Sequence, residues 1–376
     1  MVNYEEEIKA LQEQISKTQY NKATQHHIGL VKAKIARLRE KSAARSKGGK
    51  KGEGFTVRKS GDATVILIGF PSVGKSTLLN KITNAESKTA AYAFTTLTCI
   101  PGIMEYEGAK IQILDVPGIL KGAAEGTGRG KEVIAVARNA DLAVLMVDVF
   151  TASQVEILKK ELELADIRLN QQPPRITITK KERGGMNIAT TVKLTKLEPK
   201  TIEAILNEFR IMNGDVVIRE DIDPDQLIDF VEGNRRYIPG IVVVNKIDSL
   251  TEQGLRQLNE QMQNTLLNEP KGGFKDVVFV SAEKGTNLEQ LKSSIYNRLD
   301  LMRVYLKEAG KKADMEKPLI MRQGTNVKEV CEKLHKDFVT KFKFVKVFGK
   351  SAKFPGQKFK IDHKLADKDV VEIHMS

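Results

Sequence analysis

The chain has 376 residues, 41% of them hydrophobic and 29% charged, with a formal net charge of +13. That length asks for about two to four domains, and the composition excludes a disordered polymer. No run of 18 apolar residues occurs and the N-terminus opens on Glu5-Glu6-Glu7 rather than a basic and then apolar leader, which argues against a membrane span and against secretion.

In chain order, Asn3 is a plausible N-cap for a first helix in which Ile8, Leu11 and Ile15 fall at helical spacing. A second helix carries Ile28, Val31, Ile35 and Leu38 on one stripe, with Lys32, Lys34, Arg37 and Arg39 beside or opposite it. The two predict a helical hairpin, and the basic Gly/Ser stretch Ser46 to Gly54 predicts a linker, so residues 1–54 read as one N-terminal basic unit. His26-His27 lacks a third ligand nearby and reads as ordinary helix.

From Phe55 strands and helices alternate, which predicts an α/β domain built on a mostly parallel sheet. Its strands are expected at Thr64–Ile68, Gly102–Tyr106, Ile111–Leu114, Leu142–Val147, Ile241–Val244 and Val277–Val280. The alternation breaks at 171–222, a stretch that reads as an inserted ββαβ subdomain, so the domain falls into a first part, 55–170, and a second, 223–308, opened by a helix at Asp223-Pro224. One helix is expected from Leu288 to about Leu306, then a linker, and 309–376 reads as a β-grasp unit with one helix at Val327–His335. Cys99 and Cys331 are far apart without metal-ligand spacing and read as reduced thiols of an intracellular protein.

The positive charge is concentrated. His26 to Ser60 carries eleven Lys/Arg against two Glu, and Lys317 to Ser376 carries fourteen against seven acids, while the remainder nets −3. Basic ends on a near-neutral centre suggest two arms that touch a polyanion, RNA first among them, and for either end alone the plainer reading of solvated helix faces or a basic tail stands level with it.

The centre of the chain carries the chemistry. Gly69-Phe70-Pro71-Ser72-Val73-Gly74-Lys75-Ser76 fits G-x-x-x-x-G-K-[ST] between a strand and a helix beginning Thr77-Leu78. Its amides and the helix N-terminus suit phosphate, Lys75 should reach the β and γ phosphates, and the Ser76 hydroxyl should ligate Mg²⁺. Asp115-Val116-Pro117-Gly118 ends the next strand as D-x-x-G, where Asp115 can hold Mg²⁺ through water and the Gly118 amide can donate to the γ-phosphate. Between them, Phe94-Thr95-Thr96-Leu97-Thr98 supplies a threonine for the metal shell; Thr96 is favoured over Thr95. Asn245-Lys246-Ile247-Asp248 fits N-K-x-D: Asp248 can accept from guanine N1–H and N2–H₂ together, which adenine does not offer, Lys246 can lay its stem over the base, and Asn245 can brace the phosphate loop. Ser281-Ala282-Glu283 suits the loop that gives a backbone amide to guanine O6. Gly126 to Gly130 reads as a mobile switch rather than a second nucleotide loop, and Lys180 to Arg183 as a solvated hairpin end. Ile119 stands beside D-x-x-G where Ras-like GTPases keep a water-orienting glutamine, which predicts slow intrinsic hydrolysis and an activating group from a bound ion or a partner.

Together these stretches, with Gly128 to Ala135 and Gly233 to Pro239, closely resemble the DRG (developmentally regulated GTP-binding) family of the Obg-like GTPases over essentially the whole chain. The resemblance implies a helical hairpin, a P-loop GTPase domain interrupted by the ββαβ insertion, and a C-terminal TGS domain. It further implies a cytoplasmic, translation-associated GTPase that binds GTP and GDP, uses Mg²⁺, and associates with ribosomes through ribosomal RNA or tRNA, often with a regulatory partner protein. Related GTPases lacking the glutamine can use potassium, held with help from an asparagine where this chain has Ser72. The alternatives are a GTP-gated RNA-binding or scaffold protein with negligible turnover, and a ribosome-assembly GTPase.

Overall fold

The computed structural model describes residues 4–19, 21, 24–46, 60–83, 100–115, 130–266 and 272–375. The linker at Ser46 to Gly54 (beyond Ser46 itself), the threonine stretch around Thr95 and Thr96, the segment Val116 to Arg129 with Gly118 and Ile119, and Cys99 lie outside these. The described residues divide into two compact units: 1–54 with 172–237, and 55–171 with 238–376.

The larger unit is built on a six-stranded sheet in the order Val277–Phe279, Gly240–Asn245, Leu142–Asp148, Ala63–Ile68, Ala109–Asp115, Ile100–Tyr106. All neighbours are parallel except the last pair, which closes through a hairpin with Glu107 and Gly108 both at positive φ (52° and 80°), as a two-residue turn requires. The central strands are runs of β-branched and aliphatic residues because both faces are covered. Ile66, Ile68, Leu145 and Val147 face one core with Leu158, Leu162, Met262 and Phe274. Val65, Leu67, Ile111 and Ile113 face the other with Leu78, Leu79, Leu291 and Ile295. Register places the chemistry: Leu67 lies opposite Asp115 and Asn245 opposite Asp148, so both aspartates end their strands at the same edge of the sheet as the phosphate loop.

The helix expected to reach Leu306 stops at Arg298; Asp300 takes a left-handed φ of 55° and Leu301–Leu306 is a strand. The apolar residues of Leu299 to Leu306 fit helical spacing as well as alternation, and packing decides, because Met302 and Val304 are fully buried under the helix Val327–Leu334. The C-terminal sheet therefore begins before residue 309 and runs Leu319–Arg322, Leu301–Leu306, Asp369–Met375, Phe342–Phe348, Gln357–Phe359, with Leu301–Leu306 parallel to Asp369–Met375. It is tied to the nucleotide-binding part by Arg303 on Glu107, Arg322 on Asp141 at 2.8 Å and Lys333 on Asp62 at 3.4 Å. Cys331 is buried with a free thiol.

In the smaller unit the helix Tyr4–Lys17 packs along Gln25–Ser46, whose Ile28, Val31, Ile35 and Leu38 are all buried. A three-stranded sheet orders Ile176–Lys180, Gly214–Ile218, Met186–Thr190, with the helix Pro199–Glu208 against it, which is the ββαβ pattern. The helix Pro224–Glu232 opens at Asp223 in a capping box with Gln226, but it packs with this unit rather than with the domain assigned to 223–308. Its Leu227 and Ile228 share a core with Ala33, Ala36, Ile202 and Ile205, long-range partners that no local pattern discloses. The chain re-enters the larger unit at Ile238. His26 and His27 are engaged with Thr201 and Gln14, as ordinary helix residues.

Candidate functional site

The turn from Ala63–Ile68 into the helix Lys75–Ile82 is a tight loop whose geometry only its glycines allow. A Cβ on Gly69 would stand 2.3 Å from the Met146 carbonyl oxygen, and one on Gly74, at φ 95°, would stand 2.4 Å from Asn245 Nδ2. Pro71, Ser72 and Thr77 are exposed while Val73 is buried as the loop's apolar pin. Gly74 caps the helix without a side chain, so the first-turn amides face the loop.

Lys75 curls back over this loop, its Nζ donating to the carbonyls of Gly69 at 3.0 Å and Phe70 at 2.9 Å. Burial pushes its pKa down, against the pull of the Asp115 carboxylate. The Ser76 hydroxyl donates to Asp115 Oδ2 at 2.6 Å. A hydroxyl and a carboxylate in contact beside a phosphate cradle are hard oxygen donors of the kind Mg²⁺ takes, with phosphate and water completing its shell.

Asn245 is the brace. Its Nδ2 donates to the Val73 carbonyl at 2.8 Å and its Oδ1 accepts from the Ala282 amide at 2.9 Å, so one buried side chain joins three of the predicted segments. The Ala282 amide is thereby spent on the brace. Ser281 is fully buried, its hydroxyl donates to the exposed Asp248, and that bond holds the Asp248 carboxyl below the ordinary aspartate range. Glu283 follows at the surface. Lys246 takes a left-handed φ of 64° and its Nζ donates to Asp148 Oδ2 at 2.8 Å.

The structure thus gathers Gly69 to Thr77, Asp115, Asn245 to Asp248 and Ser281 to Glu283 into one region, while Thr96 and Gly118 lie outside the described residues. Asp148 is a site residue that the sequence motifs do not announce. Its signal is faint: like Asp115, it is an acid that ends a buried apolar strand, but no spaced motif follows it.

Three domain families match the chain in succession: one described as "50S ribosome-binding GTPase" over residues 64–181, the "C-terminal region of MMR_HSR1 domain" over 183–301, and the TGS domain over 302–375. A GTP-binding protein of Methanocaldococcus jannaschii is 55% identical over 373 residues, which cover 99% of this chain and 93% of that one. The developmentally-regulated GTP-binding protein 2 homolog of Dictyostelium discoideum is 46% identical, covering 98% of both chains, and human developmentally-regulated GTP-binding protein 2 is 43% identical with the same coverage. At these identities and over this length, on a P-loop GTPase domain followed by a TGS domain, the chain belongs to the DRG family of GTP-binding proteins.

Proposed function

We propose that this GTPase is Mg²⁺-dependent, turns over slowly on its own, and works on ribosomes in translation. The observation that supports the first part is the Ser76–Asp115 contact at 2.6 Å beside the phosphate loop, which sets a hydroxyl ligand next to a carboxylate that can hold a nucleotide-bound Mg²⁺ through water. When bound, the ion would neutralise charge developing on the phosphates. Ser76 and Asp115 would hold it with Thr96, and Ser72 is the position from which a potassium ion would be assisted.

Lys75 would exchange the Gly69 and Phe70 carbonyls for phosphate oxygens, an exchange favoured because its ammonium is poorly solvated where it sits. Asp248 would take the guanine N1–H and N2–H₂, Lys246 would flank the base, and the Ser281-Ala282-Glu283 loop would face O6. Gly118 would sense the γ-phosphate and its loss. With Ile119 in place of a glutamine, the water-orienting or charge-stabilising group comes from outside the chain: the ribosome, potassium or a regulatory protein.

The ribosomal part draws on the matching domain family's description and on the two basic ends. A cytoplasmic location accords with a ribosomal client, and among the described residues no helix is long and apolar enough to cross a membrane. Co-sedimentation with purified ribosomes tests it. Binding is expected with a non-hydrolysable GTP analogue, weaker with GDP, and should fall steeply as salt rises. No pelleting in either nucleotide state would contradict the ribosomal reading and favour a GTP-gated scaffold.

A further inference from the structure

Asp148 ends the strand Leu142–Asp148 opposite Asn245 and is 6% exposed, a burial that an aspartate tolerates only when its charge is matched. Its two oxygens serve different partners. Oδ1 accepts from the Thr151 hydroxyl at 2.7 Å and from the Phe150 amide at 3.1 Å, which closes the turn after the strand. Oδ2 accepts from Lys246 Nζ at 2.8 Å. The Val149 amide also donates to the Asn245 carbonyl at 3.1 Å, so the ends of the two strands are clipped together just where Lys246 leaves the sheet.

Lysine is a flexible four-carbon stem, and one held only by its backbone would sample many rotamers over the nucleotide. Lys246 is instead anchored at both ends, by a left-handed backbone and by a buried carboxylate. We propose that Asp148 is a positioning residue for guanine nucleotides: it fixes the Lys246 ammonium so that the stem stands as a preformed apolar wall for the base. This rests on reading Asn245-Lys246-Ile247-Asp248 as the base-recognition loop. The gain is preorganisation, since the side-chain ordering that binding would otherwise cost is already complete before the nucleotide arrives. Burial alone would raise the Asp148 pKa, but the bonds from Lys246 and Thr151 outweigh it and hold the group below the ordinary aspartate range, so the anchor stays charged at neutral pH.

Asp148→Asn separates the two roles, because the amide keeps an Oδ1 acceptor for Thr151 and Phe150 and replaces Oδ2 with an NH₂ group that carries no charge and cannot accept from Lys246. Lys246→Met keeps an unbranched apolar stem without the ammonium. Equilibrium titration of the full chain with N-methylanthraniloyl-GDP, for the two single variants and the double, gives a complete cycle. D148N is expected to weaken binding about tenfold in the unaltered background, the scale of one charged hydrogen bond. In the K246M background it should change binding less than about twofold. Equal losses in both backgrounds would overturn the proposal, since Asp148 would then act through the turn, and so would unchanged binding by D148N alone. Should D148N fail to fold, Thr151→Val decides, because it removes a bond to Oδ1 and leaves the Lys246 pair. A loss under about threefold is expected, and one of tenfold or more would assign the effect to the turn and overturn the proposal. An unaltered chain that does not bind the fluorescent GDP would refute the base-loop reading itself, which is a different failure.

Discussion

Asp248 and Asp148 show how two carboxylates in the same region divide their work. Asp248 is exposed, its carboxyl is held below the ordinary aspartate range by the Ser281 hydroxyl, and on the proposed reading it is the acceptor for the two guanine donors. Asp148 is buried and already paired, so it organises rather than recognises. Asp248→Ala is therefore expected to cut the preference for GDP over ADP by about 100-fold, with most of the change in GDP affinity, because guanine N1–H and N2–H₂ lose the acceptor they share while adenine had none to lose. Competition titration with the two diphosphates measures it. A preference that survives the substitution would remove Asp248 from base selection.

At the scale of elements, what can be read from the sequence is whatever a local rule enforces. The phosphate loop, the aspartate at the end of Ala109–Asp115, N-K-x-D and the Ser281-Ala282-Glu283 loop are legible because phosphate and guanine demand fixed residue types at fixed places on strand ends. The central strands are legible as aliphatic runs. Leu301–Leu306 is not, since its pattern suits either period and only the burial of Met302 and Val304 selects the strand. Asp148 is not, since its meaning lies in a partner 98 residues away. The C-terminal sheet holds a further long-range device. Glu372, 2% exposed, receives Lys307 first, then Lys346 Nζ at 2.9 Å and His374 at 2.7 Å, bonds that pull its pKa down to about 2. A depressed carboxylate stabilises the fold above its unfolded pKa, and that contribution is lost as pH falls from the ordinary glutamate value, 4.5, toward about 2. Glu372→Gln should lower stability at pH 7 by about 2 kcal/mol, discounted for the part-exposed lysines, and should flatten the acid limb of the stability curve. Urea unfolding of both chains at pH 7 and pH 3 checks the sign.

For the whole molecule, the matched families follow one another along the chain: the GTPase over 64–181, the C-terminal region of that domain over 183–301, then TGS over 302–375. The insertion and the N-terminal helices form one compact unit, and the TGS sheet belongs to the unit that holds the nucleotide site. That grouping is hidden from a reading in chain order because it depends on the contacts of Ala33 and Ala36 with Ile202, Ile205 and Leu227. Both basic segments fall outside the phosphate and base loops in sequence. On the proposed reading chemistry and docking are interdependent: Ile119 stands beside D-x-x-G where a water-orienting glutamine would act, and the group that makes hydrolysis fast would come with the partner or ion.

The most direct test is steady-state GTP hydrolysis by the full chain with Mg²⁺, with and without purified ribosomes, in potassium and then in sodium buffer. A low basal rate is predicted that ribosomes raise at least about tenfold, the least to be expected of a supplied charge-stabilising group. A rise in potassium alone would identify a bound ion as that group. A barely detectable rate that neither ribosomes nor potassium changes, in a chain that still binds GTP tightly, would contradict an activated GTPase.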